Sequence, residues 1–471
     1  MEKELCYTVG TNVTIFALTH KMRYPPTGKE RTAVLKVVKF GGSSMADAAQ
    51  YRKVKSIVLS DSERRVVVVS AAGKRNKRDH KITDLLYLCH AHVRYGVECD
   101  PIFDGITQRY LQIRDELGLQ LPLEEEFAAL KQRLDNGTVT EDELVSRGEF
   151  FSAKLMAAYL GFRFVDAADW IRFRLDGSVD QNASYEALRE LGIAGGVVIP
   201  GFYGRMPDGR IRTFSRGGSD ITGALAAAAL EADVYENWTD VSGILMADPR
   251  IVDDPQPIPE VTYDELRELS YSGAQVLHEG SIFPVREKSI PLNIRNTNDP
   301  DHPGTMIKES FDTDVTPGRF ITGITGKKDF TVLSLSKRGI SGQIGVLRKL
   351  LTVLERHDIS VDYTPCGIDT IAVILPTEAI APCLYTVLAE IQQELQPDAL
   401  DVYDQIAIVA AVGRKMRGKP GLCGKLFAAL GEAGINIRVI NQGPEELNVV
   451  LGVDNRDFAQ AIRVLYNSFA K

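Results

Sequence analysis

Cysteines are few in this sequence, and they lack the spacings that bind zinc or build disulfide frameworks. Six are scattered along the 471 residues without a Cys-x-x-Cys pair: Cys6, Cys89, Cys99, Cys366, Cys383 and Cys423. Zinc knuckles and disulfide-rich secreted scaffolds depend on closely spaced or regularly paired cysteines. The sequence therefore favours neither class, and we expect a protein of the reducing cytoplasm.

An excess of positive charge is also missing. The formal net charge is −8 at pH 7, whereas a protein that binds nucleic acid through its phosphates needs a basic surface. The one basic stretch, residues 74–81, is better explained as a solvated loop. No nucleic-acid partner is expected.

Long apolar runs are absent as well. None approaches the ~18 residues that a membrane-spanning helix requires, and the first residues lack the charged and then apolar layout of a secretory signal. We therefore expect no membrane partner. The composition, 44% hydrophobic and 25% charged, provides ample material for packed cores. A chain of this length predicts two or more domains.

The pattern of apolar residues divides the chain. Residues 1–32 show no clear period and are interpreted as an N-terminal extension. From residue 33 to 310, short unbroken apolar runs alternate with helical segments, a pattern typical of strands buried on both faces of a mostly parallel sheet. The predicted strands are residues 33–40, 65–71, 162–167, 196–201, 234–238 and 290–294. This part of the chain is predicted to be an α/β domain.

A different pattern begins after a Gly- and Thr-rich linker at residues 311–326. Two segments, 327–398 and 399–471, each follow the plan strand, glycine turn, helix, strand, turn, strand. In the first copy the last two strands are placed at residues 359–362 and 371–375, and in the second at 435–438 and 447–451. We predict two small α+β domains with this β-α-β-β plan.

Two glycine-containing segments stand where a predicted strand or loop leads into a helix. The first is Lys39-Phe40-Gly41-Gly42-Ser43-Ser44. Glycines allow the backbone to approach a phosphate closely, helix N-termini present free N–H groups, and lysine supplies a positive charge. Alone, this segment is better explained as an ordinary strand-to-helix turn.

The second segment is Ser215-Arg216-Gly217-Gly218-Ser219-Asp220-Ile221-Thr222, which precedes an alanine-rich helix. Its arginine can bind a carboxylate through two hydrogen bonds, and its aspartate can hold Mg²⁺. Alternatively, Ser219 or Asp220 only caps the helix. Two such segments together make a nucleotide site and ordinary helix starts equally good explanations.

Two further motifs have both a structural and a functional interpretation. Ser146-Arg147-Gly148-Glu149 precedes an apolar run, and Ser-x-x-Glu in that position is typical of a capping box, which the residues alone favour over the binding of a substrate ammonium. Asn237-Trp238-Thr239-Asp240-Val241 ends a strand and is followed by Ala247-Asp248-Pro249-Arg250. This pair of segments could equally be a surface turn.

These four motifs, in this order and spacing, closely resemble those of the aspartate kinases of the amino-acid kinase superfamily, from about residue 37 to the end of the chain. The resemblance implies a three-layer amino-acid-kinase fold followed by paired ACT domains. It also implies ATP-dependent phosphorylation of the L-aspartate side-chain carboxylate to 4-phospho-L-aspartate, the first step of lysine, threonine and methionine biosynthesis. ATP and Mg²⁺ are the implied cofactors.

The resemblance also implies roles for individual residues. Lys39 and Asp220 are the catalytic residues, the latter with the nucleotide's Mg²⁺, and no metal is bound by the protein alone. Aspartate is bound by Thr83, by Glu149 through its ammonium, and by Arg216 through its α-carboxylate. The ATP-binding residues are Lys39, Phe40, Gly41, Gly42, Ser43, Gly217, Gly218, Ser219, Thr239, Asp240 and Arg250.

Regulation is implied by the ACT-like repeat. An amino-acid effector, lysine or threonine, is expected at a dimer interface of the first repeat, on Gly345, Val346, Leu347, Ser360, Val361 and Asp362. The chain departs from some relatives in having Leu245 in place of a tyrosine near the nucleotide, and Asn298 in place of a nucleotide-side lysine. Two alternatives remain: a kinase of glutamate or N-acetylglutamate, and an amino-acid sensor with an inactive kinase domain.

Overall fold

The computed structural model describes residues 34–215, 217–274, 277, 279–313 and 315–470. The elements below all belong to one compact unit, Leu35–Lys471. The predicted N-terminal extension and Arg216 lie outside the described residues.

The larger part of this unit is built around one sheet. The strands up to residue 308 are β1 (Lys36–Phe40), β2 (Arg64–Val69), β3 (Arg163–Phe164), β4 (Val197–Pro200), β5 (Tyr203–Arg205), β6 (Ile211–Thr213), β7 (Val234–Thr239), β8 (Ile244–Leu245), β9 (Pro257–Ile258), β10 (Glu260–Thr262), β11 (Leu292–Asn296) and β12 (Thr305–Lys308). Eight of them form a sheet in the order β10-β12-β11-β7-β1-β2-β4-β3. Only the β11–β12 pair is antiparallel. The predicted, mostly parallel sheet is confirmed.

Helices cover both faces of this sheet. They are α1 (Ala48–Leu59), α2 (Ile82–Arg94), α3 (Asp100–Glu116), α4 (Leu123–Asp135), α5 (Glu141–Leu160), α6 (Gln181–Leu191), α7 (Gly218–Ala229), α8 (Tyr263–Tyr271) and α9 (Glu279–Glu287). Alternate residues of β1 enter different cores: Val37 packs in the core that contains α7, and Val38 and Phe40 pack in the core that contains α5. This explains why the strands were recognisable as unbroken apolar runs.

The six predicted strands correspond to β1, β2, β3, β4, β7 and β11, so the central strands were found correctly. Because β1, β2, β4, β7 and β11 are mutually parallel, their carboxyl ends lie along one edge of the sheet. Ligands of open α/β sheets bind at this edge, and all four motifs follow or adjoin these strand ends.

The rest of the chain forms a second, five-stranded antiparallel sheet in the order β14-β13-β15-β17-β16. Its strands are β13 (Gly323–Ser336), β14 (Thr370–Pro376), β15 (Ala399–Val412), β16 (Val439–Asn441) and β17 (Asn448–Asp454). Its helices are α10 (Val346–Glu355), α11 (Thr377–Ile380), α12 (Leu384–Leu395), α13 (Leu422–Glu432) and α14 (Phe458–Phe469). Strands from both predicted copies therefore lie in this one sheet.

Details of the repeat differ from the prediction. Residues 359–362 form no strand; only single bridges, such as Tyr363 to Ile374, connect this region to β14. The strand predicted at 435–438 begins at Val439 instead. Each copy also ends in a helix, α12 or α14, that the predicted plan lacked.

The two small cores are not separated at the predicted boundary between residues 398 and 399. Leu333, Leu335, Leu400 and Val402 belong to the core around α10 and α12, whereas Ile324 and residues 406–412 pack in the core around α13 and α14. The long strands β13 and β15 thus pass from one core to the other, and β13 begins inside the predicted linker. The first small domain is inserted into the second.

A buried carboxylate joins the two parts of the unit. Glu265 on α8 is fully buried and accepts hydrogen bonds from Thr322 Oγ1 (2.5 Å) and from the backbone N–H (2.7 Å) and guanidinium (2.8 Å) of Arg414. Burial alone would raise the pKa of this carboxyl group, but these donors lower it below its ordinary value. Across the described ranges, no helix is both long and apolar enough to cross a bilayer.

Candidate active site

Lys39 lies at the carboxyl end of β1 and contacts the carboxylate that begins α7. In the sheet register Lys39 is beside Asn237 of β7, and its ammonium lies 2.5 Å from Asp220 Oδ1. The lysine is 7% exposed and the aspartate side chain 20% exposed. The sequence placed these two residues 181 positions apart in separate motifs, and the fold brings them into an ion pair.

The position of Asp220 is fixed from β7. The side-chain amide of Asn237 donates a 2.9 Å hydrogen bond to Asp220 Oδ1, and the Tyr235 hydroxyl donates to the Asp220 carbonyl oxygen. Asn237 is buried, so the aspartate rests on a rigid strand. Its more exposed edge faces a cleft of about 1440 Å³ that is also lined by Gly217 and Arg267.

The first turn of α7 approaches the sheet closely because of glycines. Gly217, the residue before the helix, has φ of 61°, a left-handed conformation that favours glycine. A Cβ at Gly201, just after β4, would lie 2.6 Å from the Ser219 side chain, and one at Gly218 would lie 2.9 Å from the Phe202 backbone. These glycines thus let α7 pack closely on the sheet, and the N-cap of the helix is Gly217 rather than Ser219 or Asp220.

The glycines after β1 pack against the end of β2. Gly73 donates its N–H to the Gly42 carbonyl at 2.8 Å, and a Cβ added to Gly73 would lie 2.5 Å from that carbonyl group. Gly41 donates its N–H to the Trp238 carbonyl on β7, whereas the Phe40 ring stacks on Trp238 in the core. Phe40 can therefore offer a ligand only its backbone. Gly73 was not predicted.

A helix beginning near Asp47 was predicted to present N–H groups to a phosphate. Helix α1 does begin at Ala48, but the Asp47 side chain accepts the Gln50 N–H and caps it. Residues 42–45 form a short 3₁₀ turn instead, in which the Ser44 hydroxyl lies 2.8 Å from that of Thr297. Gly41, the residue before this turn, lies beside Lys39, since a Cβ added to it would lie 3.6 Å from Lys39 Nζ.

Glu149 is not part of a capping box, so the structural interpretation that the residues alone favoured is wrong. Helix α5 begins at Glu141, and its N-cap is Thr140, whose hydroxyl accepts the Glu143 N–H. Glu149 lies in the third turn, 4% exposed, and its Oε2 has no hydrogen-bond partner among the described residues. Burial raises the pKa of this carboxyl group to about 8, although an N–H from Ala71 opposes the shift.

Glu149 lies close to the glycines that follow β1. A Cβ added to Gly148 would lie 2.8 Å from the Ala71 Cβ. A Cβ added to Gly42 would lie 3.1 Å from the Ala71 carbonyl oxygen. Helix α2 starts here too, because Ile82 donates its N–H to the Ala72 carbonyl. Thr83, in the first turn of α2, therefore lies close to the segment that follows β2.

Other predicted residues are less closely grouped. Thr239 ends β7 and donates to the exposed Asp240 carboxylate at 3.2 Å. Arg250 is 74% exposed, and its guanidinium pairs with Asp248 at 2.6 Å within its own turn. Arg216, the predicted ligand of the aspartate α-carboxylate, lies outside the described residues.

The two departures from the family pattern have different surroundings. Asn298 accepts hydrogen bonds from Lys53 Nζ at 2.8 Å and from Gln50, so an ammonium from α1 lies beside this position. Leu245 lies in β8, opposite Pro257 of β9. Nothing in the sequence pattern pointed to Lys53, because its partner is 245 residues away.

The donor chemistry at Asp220 fits Mg²⁺. A partly exposed carboxylate held by a lysine and an amide can give one oxygen to a metal whose other ligands are phosphate oxygens and waters, as Mg²⁺ prefers. Among the residues described, the one cluster of three metal-ligating side chains is Cys99, Asp100 and Asp135. There the Lys131 ammonium lies 2.6 Å from both carboxylates and takes the place of a cation.

The predicted effector residues separate into two groups. Leu347, Ser360 and Val361 line a mostly apolar pocket of about 690 Å³ along α10. Asp362 instead lines the large cleft that also reaches Asp220. The Tyr271 hydroxyl of α8 donates a hydrogen bond to the Asp362 carboxyl group. Burial raises the pKa of the Asp362 carboxyl group. Gly345, with φ of 81°, is the residue before α10, and Val346 starts that helix.

Comparison with known proteins identifies relatives along almost the whole chain. The model of the amino acid kinase family matches residues 35–296, and that of the ACT domain matches residues 409–469. The chain is 36% identical over 451 residues to Aspartokinase 3 of Bacillus subtilis, across 92% of this chain and 98% of the relative.

Solved structures give the same picture. The aspartate kinase of Clostridium acetobutylicum is similar at a TM-score of 0.84 and 43% identity, and Escherichia coli aspartokinase III in complex with aspartate and ADP (R-state) at 0.72 and 27%. The Escherichia coli enzyme in complex with lysine and aspartate (T-state) has a TM-score of 0.69 and 28% identity. Each comparison covers 93% of this chain and 100% of the other.

Proposed function

The chain belongs to the aspartokinases of the amino acid kinase family, and we propose that it transfers the γ-phosphate of Mg·ATP to the side-chain carboxylate of L-aspartate, giving 4-phospho-L-aspartate. In metabolism this would be the first step toward lysine, threonine and methionine. The observation that carries the proposal is the Lys39–Asp220 ion pair at the edge of the sheet where the glycine turns and the buried Glu149 also lie.

The nucleophile in this reaction needs no general base. An aspartate side chain has an ordinary pKa near 3.9 and is ionised at neutral pH. The obstacle is electrostatic, since two like charges ~4 Å apart repel by about 4 kcal/mol at an effective dielectric constant near 20. Phosphoryl transfer is accordingly catalysed by positioning and charge neutralisation, which are the tasks that buried cationic groups can perform.

Each part of the site has a task in this scheme. Lys39 neutralises the transferring phosphate, and the backbone of Gly41 and Gly42 allows that phosphate to come close. Asp220 would hold Mg²⁺ through a carboxylate oxygen, and the metal would supply further positive charge to the phosphates. Thr239, Asp240 and Arg250 follow β7 and belong to the nucleotide side.

Aspartate is held on the other side, next to β2. The Glu149 carboxylate is buried and has an oxygen without a partner in the described structure, and a substrate ammonium would provide the missing charge-assisted hydrogen bonds. Thr83 lies beside it at the start of α2. Arg216 is proposed to bind the α-carboxylate through its two-pronged guanidinium.

Trapping the acyl phosphate with hydroxylamine tests this assignment. Product hydroxamate should form with aspartate and Mg·ATP, at a kcat/KM at least about 100-fold above that with glutamate or N-acetylglutamate, because a site built for one chain length leaves polar groups unpaired with another. Equal or better turnover of N-acetylglutamate would support the alternative kinase. Absence of hydroxamate with all three would support the inactive-sensor alternative.

We further propose that the first small domain binds a feedback effector, lysine, in the pocket formed by Leu347, Ser360 and Val361, at the interface of a homodimer. The support is the apolar pocket itself, the fully exposed Ile344 two residues before α10, and the lysine complex of the Escherichia coli relative. An effector must favour one conformation in order to change activity.

Titration of lysine, threonine and methionine in the kinase assay, with sedimentation to follow mass, tests the effector proposal. Lysine should inhibit, and Ser360→Trp, which fills the pocket, should abolish that inhibition while basal activity persists. If threonine alone inhibits, threonine rather than lysine is the effector. A flat response to all three would overturn the regulatory proposal but leave the kinase assignment intact.

A further inference from the structure

The loop between β8 and β9 is held by the second small domain. This loop, Met246–Gln256, closes on itself through a 2.9 Å hydrogen bond from the Met246 N–H to the Gln256 carbonyl. Its Met246 carbonyl accepts the N–H of Ile324, the second residue of β13, at 2.7 Å. The base of the loop is therefore attached to the sheet of the regulatory part.

Helix α14 makes two more contacts with the loop. The Arg463 guanidinium donates from Nε to the Ile251 carbonyl at 2.7 Å, and the Tyr466 hydroxyl accepts the Gln256 N–H at 2.9 Å. Tyr466 is 8% exposed. Two side chains one helical turn apart thus hold backbone groups at two separate points of the same loop.

The helix is a rigid support for these contacts. On its inner face Ile462 and Leu465 are 1% and 0% exposed in the core formed with α13. A residue whose own position is fixed by packing can hold a loop to a defined geometry. Displacing α14 by even a small distance would consequently move the loop.

The turn that Arg463 holds is the one that presents Arg250. The Ile251 and Val252 N–H groups both donate to the Asp248 carbonyl, which closes a tight turn around Arg250. The Arg250 guanidinium is exposed and pairs only with Asp248 among the described residues. The carbonyl that Arg463 binds belongs to the residue immediately after Arg250.

We propose that Arg463 and Tyr466 are positioning residues for the nucleotide: from the regulatory domain they hold the Met246–Gln256 loop so that Arg250 reaches the ATP phosphates. The proposal rests on the nucleotide role proposed above for Arg250. It places part of the ATP site under the control of the C-terminal helix, so that a movement of the small domain changes ATP affinity directly.

Steady-state kinetics of Arg463→Ala and Tyr466→Phe, each in the full chain, test the proposal. Loss of one loop hydrogen bond should raise KM for ATP by about three- to tenfold, with KM for aspartate and kcat at saturating ATP unchanged. Arg463→Lys, which can still donate to the carbonyl, should restore most of the ATP affinity. Calorimetric titration with ADP alone should show the same ranking without turnover.

Two control variants separate the possible failures. Arg456→Ala removes an exposed arginine of the same domain that pairs only with Asp454 and Asp457 in the described structure, and it should leave both KM values unchanged. Arg250→Ala reports on the proposed role of Arg250 itself.

If Arg250→Ala raises KM for ATP but neither α14 variant does, the positioning role is wrong and the nucleotide role stands. If the α14 variants raise KM for ATP but Arg250→Ala does not, the loop matters through another residue and the role of Arg250 is wrong. If the α14 variants show a lower kcat, a lower Tm and higher KM values for both substrates, the contacts are merely structural and the proposal is overturned.

Discussion

The ammonium of Lys39 and the carboxylate of Asp220 lie 2.5 Å apart, although Lys39 is the penultimate residue of β1 and Asp220 lies in the first turn of α7. Both side chains are mostly shielded from water, and their opposite charges compensate each other. The ammonium proposed to neutralise the phosphate is thereby adjacent to the carboxylate proposed to hold the metal ion.

Glu149 provides a pH-dependent test of aspartate binding. Its carboxyl group has a pKa raised to about 8 by burial, but it must be ionised to bind an ammonium. KM for aspartate should therefore fall about tenfold per pH unit between pH 6 and 8 and level off above that. Glu149→Gln should show a raised KM without this slope, and a slope that persists in the variant would contradict the assignment.

The same group makes a prediction for stability in the absence of substrate. Because its pKa is higher in the folded protein than the ordinary value of 4.5, the folded state holds the proton more tightly. Stability should thus decrease as pH rises from about 4.5 to 8. Glu149→Gln should remain more stable than the wild type at pH 8, as measured by urea unfolding; a less stable variant would show that the buried charge is compensated.

Gly73→Ala should disturb the phosphate-side turn. A Cβ at this position would lie 2.5 Å from the backbone of Gly42, and strain of this kind costs about 1–3 kcal/mol. We expect KM for ATP to rise at least about fivefold. Gly105→Ala is the matched control, because no atom lies within 4 Å of the added carbon in α3, and it should behave as wild type. Equal behaviour of the two variants would mean that the Gly42–Gly73 contact has no role.

Asn237→Ala tests whether Asp220 needs support. The amide donates to Asp220 Oδ1 at 2.9 Å, and loss of a hydrogen bond to a charged group costs about 1.5–3 kcal/mol. The Mg²⁺ concentration for half-maximal activity should rise several-fold, and ADP titrations with and without Mg²⁺ should show a smaller metal-dependent gain in affinity. Unchanged Mg²⁺ dependence would remove Asn237 from the site.

The central strands could be predicted from the sequence because strands buried on both faces form unbroken apolar runs. The motifs could then be placed at the ends of these strands. The sequence could not predict which motif residues touch: the Lys39–Asp220 contact, the role of Asn237 and the Gly42–Gly73 packing depend on register between distant segments. The Phe202 backbone, with φ of 80° beside Gly218, is likewise imposed by tertiary packing and has no local signal.

Two of the failed predictions have identifiable physical reasons. Ser-x-x-Glu matched a capping box at Glu149, but the helix had already begun at Glu141, and a short motif does not reveal burial. The segment 359–362 contains residue types that favour strands, yet this region pairs with β14 only through isolated bridges. The reason is that the Asp362 side chain accepts a hydrogen bond from the Tyr271 hydroxyl. Strand propensity gave way to tertiary contacts.

A double-mutant cycle on Lys39 and Asp220, followed by single-turnover phosphoryl transfer at saturating Mg·ATP and aspartate, tests the central claim most directly. Lys39→Ala should slow transfer by about 10²- to 10³-fold, and Lys36→Ala, at the other end of β1, should not. If the pair acts as one unit, the double variant should be little slower than the worse single variant. Near-normal transfer in Lys39→Ala, or fully multiplicative losses in the double variant, would contradict the account.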